Sequence, residues 1–492
     1  MSFRRIGIDL DHTILKNQSG SGDAEILFGF KAFVMAQREA DRRLFILCHM
    51  EGKDKSEADI KTELEGHGIF KPMAEGGFGF SADDLVCSNS NEDLIGKIKA
   101  LKLTHYIGSS DIFEDDAFPA STQPVLLNDG SNQSPGFPCF QDWSELSNMF
   151  IWETGVTDFA GSRLSEFKTL KGHGENHVHS LLMEDGKRYV LKHFFEHADA
   201  GSQAVEAAHL KALIDAGIDN VPEPHWQEGA WTLSSWLDGK PPEDPDDNDV
   251  DQTIDFLVRL DQAKEKLKVG NAKRARLSFN DYVSAVNDIW KAVLAACQRP
   301  DGPKDILMFV MTDMEQMRQD NQNHMFLWCK RENWDRDKPF VQKDLMFNPG
   351  DFGLHNSMKD DSGRLHFLDF EDSGWDDPAH LMADFFHNTE QNLSIEAKLK
   401  VLDAFVKHRS WDTSFQKRFW AVADVVAVEW IFRTLLVVVP EEMRRQQFIN
   451  PSVDPKQLIK DRFKQALAMK EAFKPMEHVC KPNELLTQSD LD

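Results

Sequence analysis

The stretch Pro349-Gly-Asp-Phe-Gly-Leu-His-Asn356, followed by Leu365-His-Phe-Leu-Asp-Phe-Glu371, decides how the second half of this chain is read. Asp351 and Asn356 stand five residues apart, and Asp369 follows thirteen residues after Asn356. Between them lie Ser357-Met358, the turn-forming run Lys359-Asp-Asp-Ser-Gly-Arg364 and an apolar run suited to a strand. A hairpin over that interval returns Asp369 beside Asn356 and brings three oxygen-bearing side chains into one cleft. Phosphoryl transfer uses that grouping: carboxylate and amide oxygens hold magnesium, and a separate carboxylate takes the acceptor hydroxyl's proton. Just downstream, Asp377 before Pro378 reads as a helix N-cap with proline at the first helical position.

Upstream of this island, Leu181-Leu-Met, the turn Glu184-Asp-Gly-Lys and Arg188-Tyr-Val-Leu-Lys read as a hairpin. A helix is expected over 202–216, with Ala207, Leu210, Leu213 and Ile214 on one stripe and Gly217 as its stop. Trp231-Thr-Leu-Ser-Ser-Trp is a further strand. The acidic, proline-bearing run 241–251 marks a boundary, and beyond it the pattern is helical apart from 345–370. The apolar stretch 419–439 contains Asp424, Glu429 and Arg433, charges that are costly in lipid, so it is expected as a buried helix. The spacing of Glu429 and Arg433 puts both on one helix face.

These residues resemble the aminoglycoside phosphotransferase and choline kinase-like family, in the protein-kinase-like fold. The family pattern has Asp, four residues, Asn, then an apolar strand ending in Asp. By that likeness Asp351 is the catalytic base, Asn356 and Asp369 hold magnesium, and Asp384 stands where the family often has a further aspartate. Lys192, ending an apolar strand, is implied as the lysine on the ATP phosphates, with Glu206 on the next helix as its ion-pair partner. Gly172, Gly174 and Asn176 lie where the family covers the phosphates with backbone amides, and 232–237 resembles the hinge that binds adenine. The family often has His two residues before the catalytic aspartate; this chain has Pro349. The resemblance spans residues 160–470.

The front of the chain reads differently. Arg5-Ile-Gly-Ile-Asp-Leu, Leu44-Phe-Ile-Leu-Cys, His105-Tyr-Ile-Gly and Val125-Leu-Leu are strands that alternate with helical stretches at 26–38 and 94–103. That alternation argues for a parallel α/β sheet over 1–145, closed by the Gly-, Ser-, Asn- and Pro-rich segment 128–138. Ile6-Gly-Ile-Asp-Leu-Asp-His-Thr13 resembles motif one of the haloacid dehalogenase-like (HAD-like) phosphatases. The resemblance implies a Rossmann-like HAD domain with Asp9 as nucleophile, Asp11 as acid/base, and Asp9, Asp11 and Asp111 as magnesium ligands. Departures from that pattern are Leu47-Cys-His49 in place of a strand ending in Ser or Thr, and Ile107-Gly-Ser-Ser in place of an acidic motif four; Lys97 or Lys99 is the candidate for the motif-three lysine.

The expected organisation is therefore a HAD-like domain at 1–145 and a bilobal α+β kinase-like domain at 160–475, with a small lobe at 160–240 and a large helical lobe at 245–475. A length of 492 residues suits two or three domains, and 41% hydrophobic with 28% charged residues suits a globular chain. The net charge of −26, spread along the chain, argues against a nucleic-acid partner, which needs clustered Lys and Arg. Six scattered cysteines without a CxxC pair read as reduced thiols, and the N-terminus fits no secretory leader. A cytoplasmic protein without membrane contact is expected. Three functions are weighed: an ATP- and Mg2+-dependent kinase acting on a hydroxyl of a sugar, amino sugar or amino alcohol; a bifunctional phosphatase-kinase; and a non-enzymatic nucleotide-binding regulator.

Overall fold

The computed structural model describes residues 4–11, 13–17, 24–127, 136–170, 176–195 and 201–479. The chain divides into two compact units, Met1–Gly172 with Val178–Lys192, and His173–His177 with His193–Asp492.

At the centre of the first unit runs the strand Arg5–Asp9, its Ile6, Gly7 and Ile8 buried. Both neighbours are parallel to it: Arg43–His49, with Ile8 opposite Ile46, and His105–Gly108, with Ile8 opposite Ile107. Leu85–Ser88 lies beyond the first neighbour, and Gln123–Leu127 and then Cys139–Phe140 lie beyond the second, all parallel. Numbered along the chain, the order is 3-2-1-4-5-6. In doubly wound sheets, which share this strand order, ligands bind in a crevice at the C-terminal strand ends where the order reverses. The reversal falls between Arg5–Asp9 and His105–Gly108. A Cβ at Gly7 would stand 2.4 Å from Leu103 Cδ1, so any larger residue there requires the Leu103 side chain to move.

The helix expected over 26–38 starts later, at Phe30–Glu39. Ala24–Ile26 is instead a short strand paired with Leu15–Asn17, and Gly29, at φ 90°, makes the turn between strand and helix. Leu85–Ser88 and Cys139–Phe140 are sheet strands the sequence pattern does not announce, being too short to show an alternation. Phe30 and Phe33 pack on Trp143 of the helix Trp143–Ala160, ring centroids 5.0 and 4.7 Å apart. The strands Leu164–Leu170, His177–Met183 and Arg188–His193 are successive neighbours in a second sheet, and the expected hairpin turn is closed by Met183 N–H to the Lys187 carbonyl at 2.9 Å. Phe167 stacks on Phe140 and Trp152, which ties the first of these strands to the same core.

In the second unit the helix Ser202–Asp215 buries Leu210 and Leu213, as its stripe predicts. Pro224–Glu228 and Trp231–Ser235 pair antiparallel, with Trp231 buried. Apart from short strands within 346–376, the rest is mainly helical around Phe415–Thr434, which packs against Pro378–His387, Phe279–Gln298, Glu315–Arg331 and Pro455–Ala472. Each charge in that apolar helix has a partner. Glu429 meets Arg433 at 2.6 Å along the helix and Arg276 at 2.9 Å across it, while Asp424 accepts Met476 N–H at 2.9 Å. Burial opposes ionisation of Glu429, yet Arg433 and Arg276, with His380, hold its pKa far below the ordinary glutamate value. No helix among the described residues is long and apolar enough to cross a membrane, and the five described cysteines are free thiols.

Candidate active site

The island expected at 345–370 holds three short strands and is completed by a fourth just beyond it. Met346–Asn348 pairs with Gly374–Asp376, and Ser357–Lys359 pairs with Leu365–Phe367. The second pair is the expected hairpin: Ser357 faces Phe367, and Leu368 N–H reaches the Asn356 carbonyl at 2.9 Å. Asp369 therefore follows directly on the residue bonded to Asn356. It adopts φ 63°, a left-handed conformation uncommon for a residue with a side chain, at the point where the strand ends.

Asp351 is held from three directions. Asn388 Nδ2 donates to Oδ1 at 2.7 Å, while His355 Nε2 and Asn356 Nδ2 both stand 3.2 Å from Oδ2. Asn356 Nδ2 also donates to the Asp351 carbonyl at 2.8 Å, which leaves its Oδ1 as the oxygen suited to a cation. An amide oxygen and the Asp369 carboxylate are the hard donors that magnesium prefers. Burial would raise the Asp351 pKa, but the His355 hydrogen bond and charge, with Arg274 and Arg433 further away, hold it below the usual aspartate value. His355 is pushed the opposite way: its burial is outweighed by Asp351, Glu390 and Asp369.

The turn ahead of Asp351 has its own anchors. Gly350 N–H donates to Asn348 Oδ1 at 2.9 Å, and Asn348 Nδ2 donates to the buried Asp376 at 2.7 Å. Asp376 also takes His380 Nδ1 at 2.5 Å and Arg276 N–H at 2.6 Å. Gly350 has φ 101°, and a Cβ there would press on Asp372 Cβ at 3.0 Å, so glycine is needed on both counts. Asp372 is itself paired with Arg274 at 2.5 Å and Lys273 at 3.2 Å. Asp384 accepts Trp430 Nε1 at 2.9 Å and lies 3.4 Å from Arg433.

Of the residues expected at a nucleotide, Gly172 and Gly174 lie outside the described residues. Asn176 bonds within the second unit, donating to Glu371 at 2.5 Å and accepting Phe195 N–H at 3.2 Å. Glu206 is buried and accepts Phe370 N–H at 3.1 Å, next to Asp369. Lys192 is half-buried at the end of its strand in the first unit. In the segment resembling a hinge, Trp236 Nε1 donates to Asp238 at 2.9 Å, and Trp231, just ahead of that segment, is buried. His355, Asn388 and Asn348 were not singled out by sequence reasoning. His355 stood inside the quoted motif, whereas Asn388 carries no local signal.

A second cluster lies in the first unit, at the crevice end of the central strand. Asp9 ends that strand, and burial together with the Asp11 charge raises its pKa to about 7, with Lys53 pulling the other way. Lys53 Nζ sits 2.5 Å from Asp11 and 3.3 Å from Cys48 Sγ. Lys53, not Lys97 or Lys99, is thus the lysine beside the two aspartates. Lys97 is held by the Cys87 carbonyl and by Asp93 at 2.9 Å, and Lys99 is exposed. Thr13 Oγ1 donates to the Asp11 carbonyl at 3.2 Å. Burial pushes the Cys48 thiol up to about 12, so it stands as a neutral thiol where a hydroxyl was absent. Asp111 is exposed near the end of the neighbouring strand, accepting only Ser110 Oγ at 3.4 Å among the described residues.

Residues 167–409 match the phosphotransferase enzyme family. No curated protein matches the chain. Among solved structures, an ethanolamine kinase from Plasmodium vivax is similar at 14% identity, over 67% of this chain and 90% of that one, with a TM-score of 0.44. A choline kinase from Streptococcus pneumoniae is similar at 14% identity, over 66% and 99%, with a TM-score of 0.41. One from Cryptosporidium parvum follows at 10% identity, over 65% and 92%, with a TM-score of 0.41.

Proposed function

We propose that the segment matching the phosphotransferase enzyme family is an ATP- and magnesium-dependent kinase, moving the γ-phosphoryl group to a hydroxyl of an amino alcohol, amino sugar or sugar. The observation that carries this reading is the hairpin that returns residues 368–369 to Asn356, with the Asp351 carboxylate hydrogen-bonded to that same asparagine. An ionised carboxylate offers about four lone-pair positions, and three are occupied by Asn388, His355 and Asn356. Among the described residues no donor takes the remaining one, on Oδ1, which leaves it for an acceptor hydroxyl. In this reading Asp351 takes the hydroxyl proton as the oxygen bonds to the γ-phosphorus and the bond to ADP breaks. Magnesium, when bound, neutralises the phosphate oxygens, and Asn356 Oδ1 with Asp369 would hold it. Lys192, Glu206, Gly172, Gly174 and Asn176 are assigned to the nucleotide in the same proposal.

The test is ADP release from MgATP across a panel of amino alcohols, aminoglycosides and sugars. Asp351→Asn is expected to lower turnover by about 10²–10⁴-fold, the contribution of a positioned base. Turnover that survives this change sinks the assignment, and nucleotide binding without turnover in the unaltered chain favours a regulator instead.

A second reading concerns the first unit alone: hydrolysis of a phosphomonoester, with Asp9 attacking phosphorus, Asp11 protonating the leaving oxygen, and Asp9, Asp11 and Asp111 serving a magnesium ion. It is favoured by the place of Asp9 and Asp11 at the crevice end of the doubly wound sheet with Lys53 beside them. Hydrolysis of p-nitrophenyl phosphate is expected to persist in Asp351→Asn and vanish in Asp9→Asn. Equal activity in both variants would dismiss it.

A further inference from the structure

The carboxylate of Asp351 is gripped by a segment distant from it in sequence. The helix Pro378–His387 ends at Asn388, whose own N–H still bonds back to the Asp384 carbonyl at 2.9 Å. Asn388 is buried, and its side-chain orientation is fixed chemically: Oδ1 accepts Glu390 N–H at 2.8 Å, so Nδ2 must be the atom facing Asp351 Oδ1 at 2.7 Å. Three residues on, Gln391 clasps the loop backbone, its Nε2 donating to the Phe352 carbonyl at 2.8 Å and its Oε1 accepting Leu354 N–H at 3.3 Å. A Cβ on Gly353 would stand 2.0 Å from Gln391 Nε2, so the loop is shaped to admit this clasp. From the loop itself His355, its side chain 10% exposed, brings Nε2 to Asp351 Oδ2 at 3.2 Å.

We infer that Asn388 and His355 are positioning residues that fix the Asp351 carboxylate from opposite oxygens, with the turn 388–391 acting as an external clasp on the catalytic loop. This rests on the kinase reading for its consequence, though the clasp itself is a matter of loop order. A carboxylate bound on both oxygens loses its rotation about the Cβ–Cγ bond, and the open lone pair on Oδ1 keeps one direction. Misplacing a reacting group by about 1 Å costs on the order of 10²-fold in rate, so loosening the clasp is expected to appear in kcat and not in nucleotide affinity.

The experiment uses the full chain with MgATP and whichever acceptor of the panel gives turnover, or water alone. Asn388→Ala and His355→Ala are expected to lower kcat by about 10–100-fold while KM for ATP stays within about twofold. His355→Gln, which restores a donor at the reach of Nε2, is expected to recover part of the loss. Wild-type kcat in both alanine variants, or a glutamine variant no better than the alanine one, overturns the inference. Hydrogen–deuterium exchange over 350–356 is read in the same proteins, so the answer does not depend on activity. Faster exchange in both alanine variants is expected; unchanged exchange overturns the clasp. Faster exchange in a chain that turns over no ATP would retain the clasp and discard the kinase reading.

Discussion

Asp9 and Asp351 are both aspartates placed where a strand or turn gives out, and their surroundings drive them apart. Asp351 has hydrogen-bond donors on both oxygens and a raised-pKa histidine beside it, so it stays ionised. Asp9 has burial and the Asp11 charge against it, and the nearby lysine lies closest to Asp11. With a folded pKa of about 7 against 3.8 for an ordinary aspartate, Asp9 keeps a proton in the folded chain that the unfolded chain has released. The unfolded state then binds fewer protons, so this group's contribution to stability falls as pH rises from about 4 to about 7. Thermal melts across that window should show the wild type losing ground to Asp9→Asn as pH rises. Parallel profiles for the two proteins would show that Asp9 is already ionised when folded.

At the scale of the element, the helix Pro378–His387 links core and site. Its N-terminus is the expected cap, Asp377 accepting Ala379 N–H at 3.1 Å with proline at the first position. The same buried carboxylate also accepts the Tyr282 hydroxyl at 3.0 Å and Arg418 Nε at 3.1 Å. Its C-terminus is Asn388, against Asp351. Removing the Asp377 carboxylate leaves Arg418 buried with one partner fewer, and breaking a buried pair in this way costs about 3–5 kcal/mol. Asp377→Ala is expected to lose that much in chemical denaturation, well beyond the roughly 1 kcal/mol of a surface cap. A loss of only cap size would show that Asp412, which also meets Arg418 at 3.2 Å, satisfies the guanidinium alone.

Across the whole molecule, the elements most legible in the sequence are those whose pattern is local and long. The apolar run 419–439 with charges four apart marks a buried helix; the α-helix spans Phe415–Thr434, with Glu429 and Arg433 paired along one face, and Leu435–Val438 tightens into a 3-10 turn. The central strand, the hairpin at 181–192 and the hairpin at 357–367 were equally plain. Leu85–Ser88 and Cys139–Phe140 were not, because two to four residues carry no period and only neighbouring strands hold them in the sheet. The late start of Phe30–Glu39 has a similar cause: apolar residues near 26 suit a helix locally, but pairing with Leu15–Asn17 claims them for a strand.

Legible in adjacent residues alone are the spacing of Asp351, Asn356 and Asp369, the turn that folds their hairpin, the cap at Asp377, and the aspartate that ends the first strand. Each is a property of a few adjacent residues, for which chain connectivity and backbone sterics leave few choices. Long-range packing alone makes Asn388 and Gln391 close on the loop of Asp351 and puts Lys53 beside Asp11. Those contacts join residues separated by more than thirty positions along the chain. What brings them together is the packing of a helix or a parallel sheet, a consequence of burying apolar surface at many sites at once that no local spacing records.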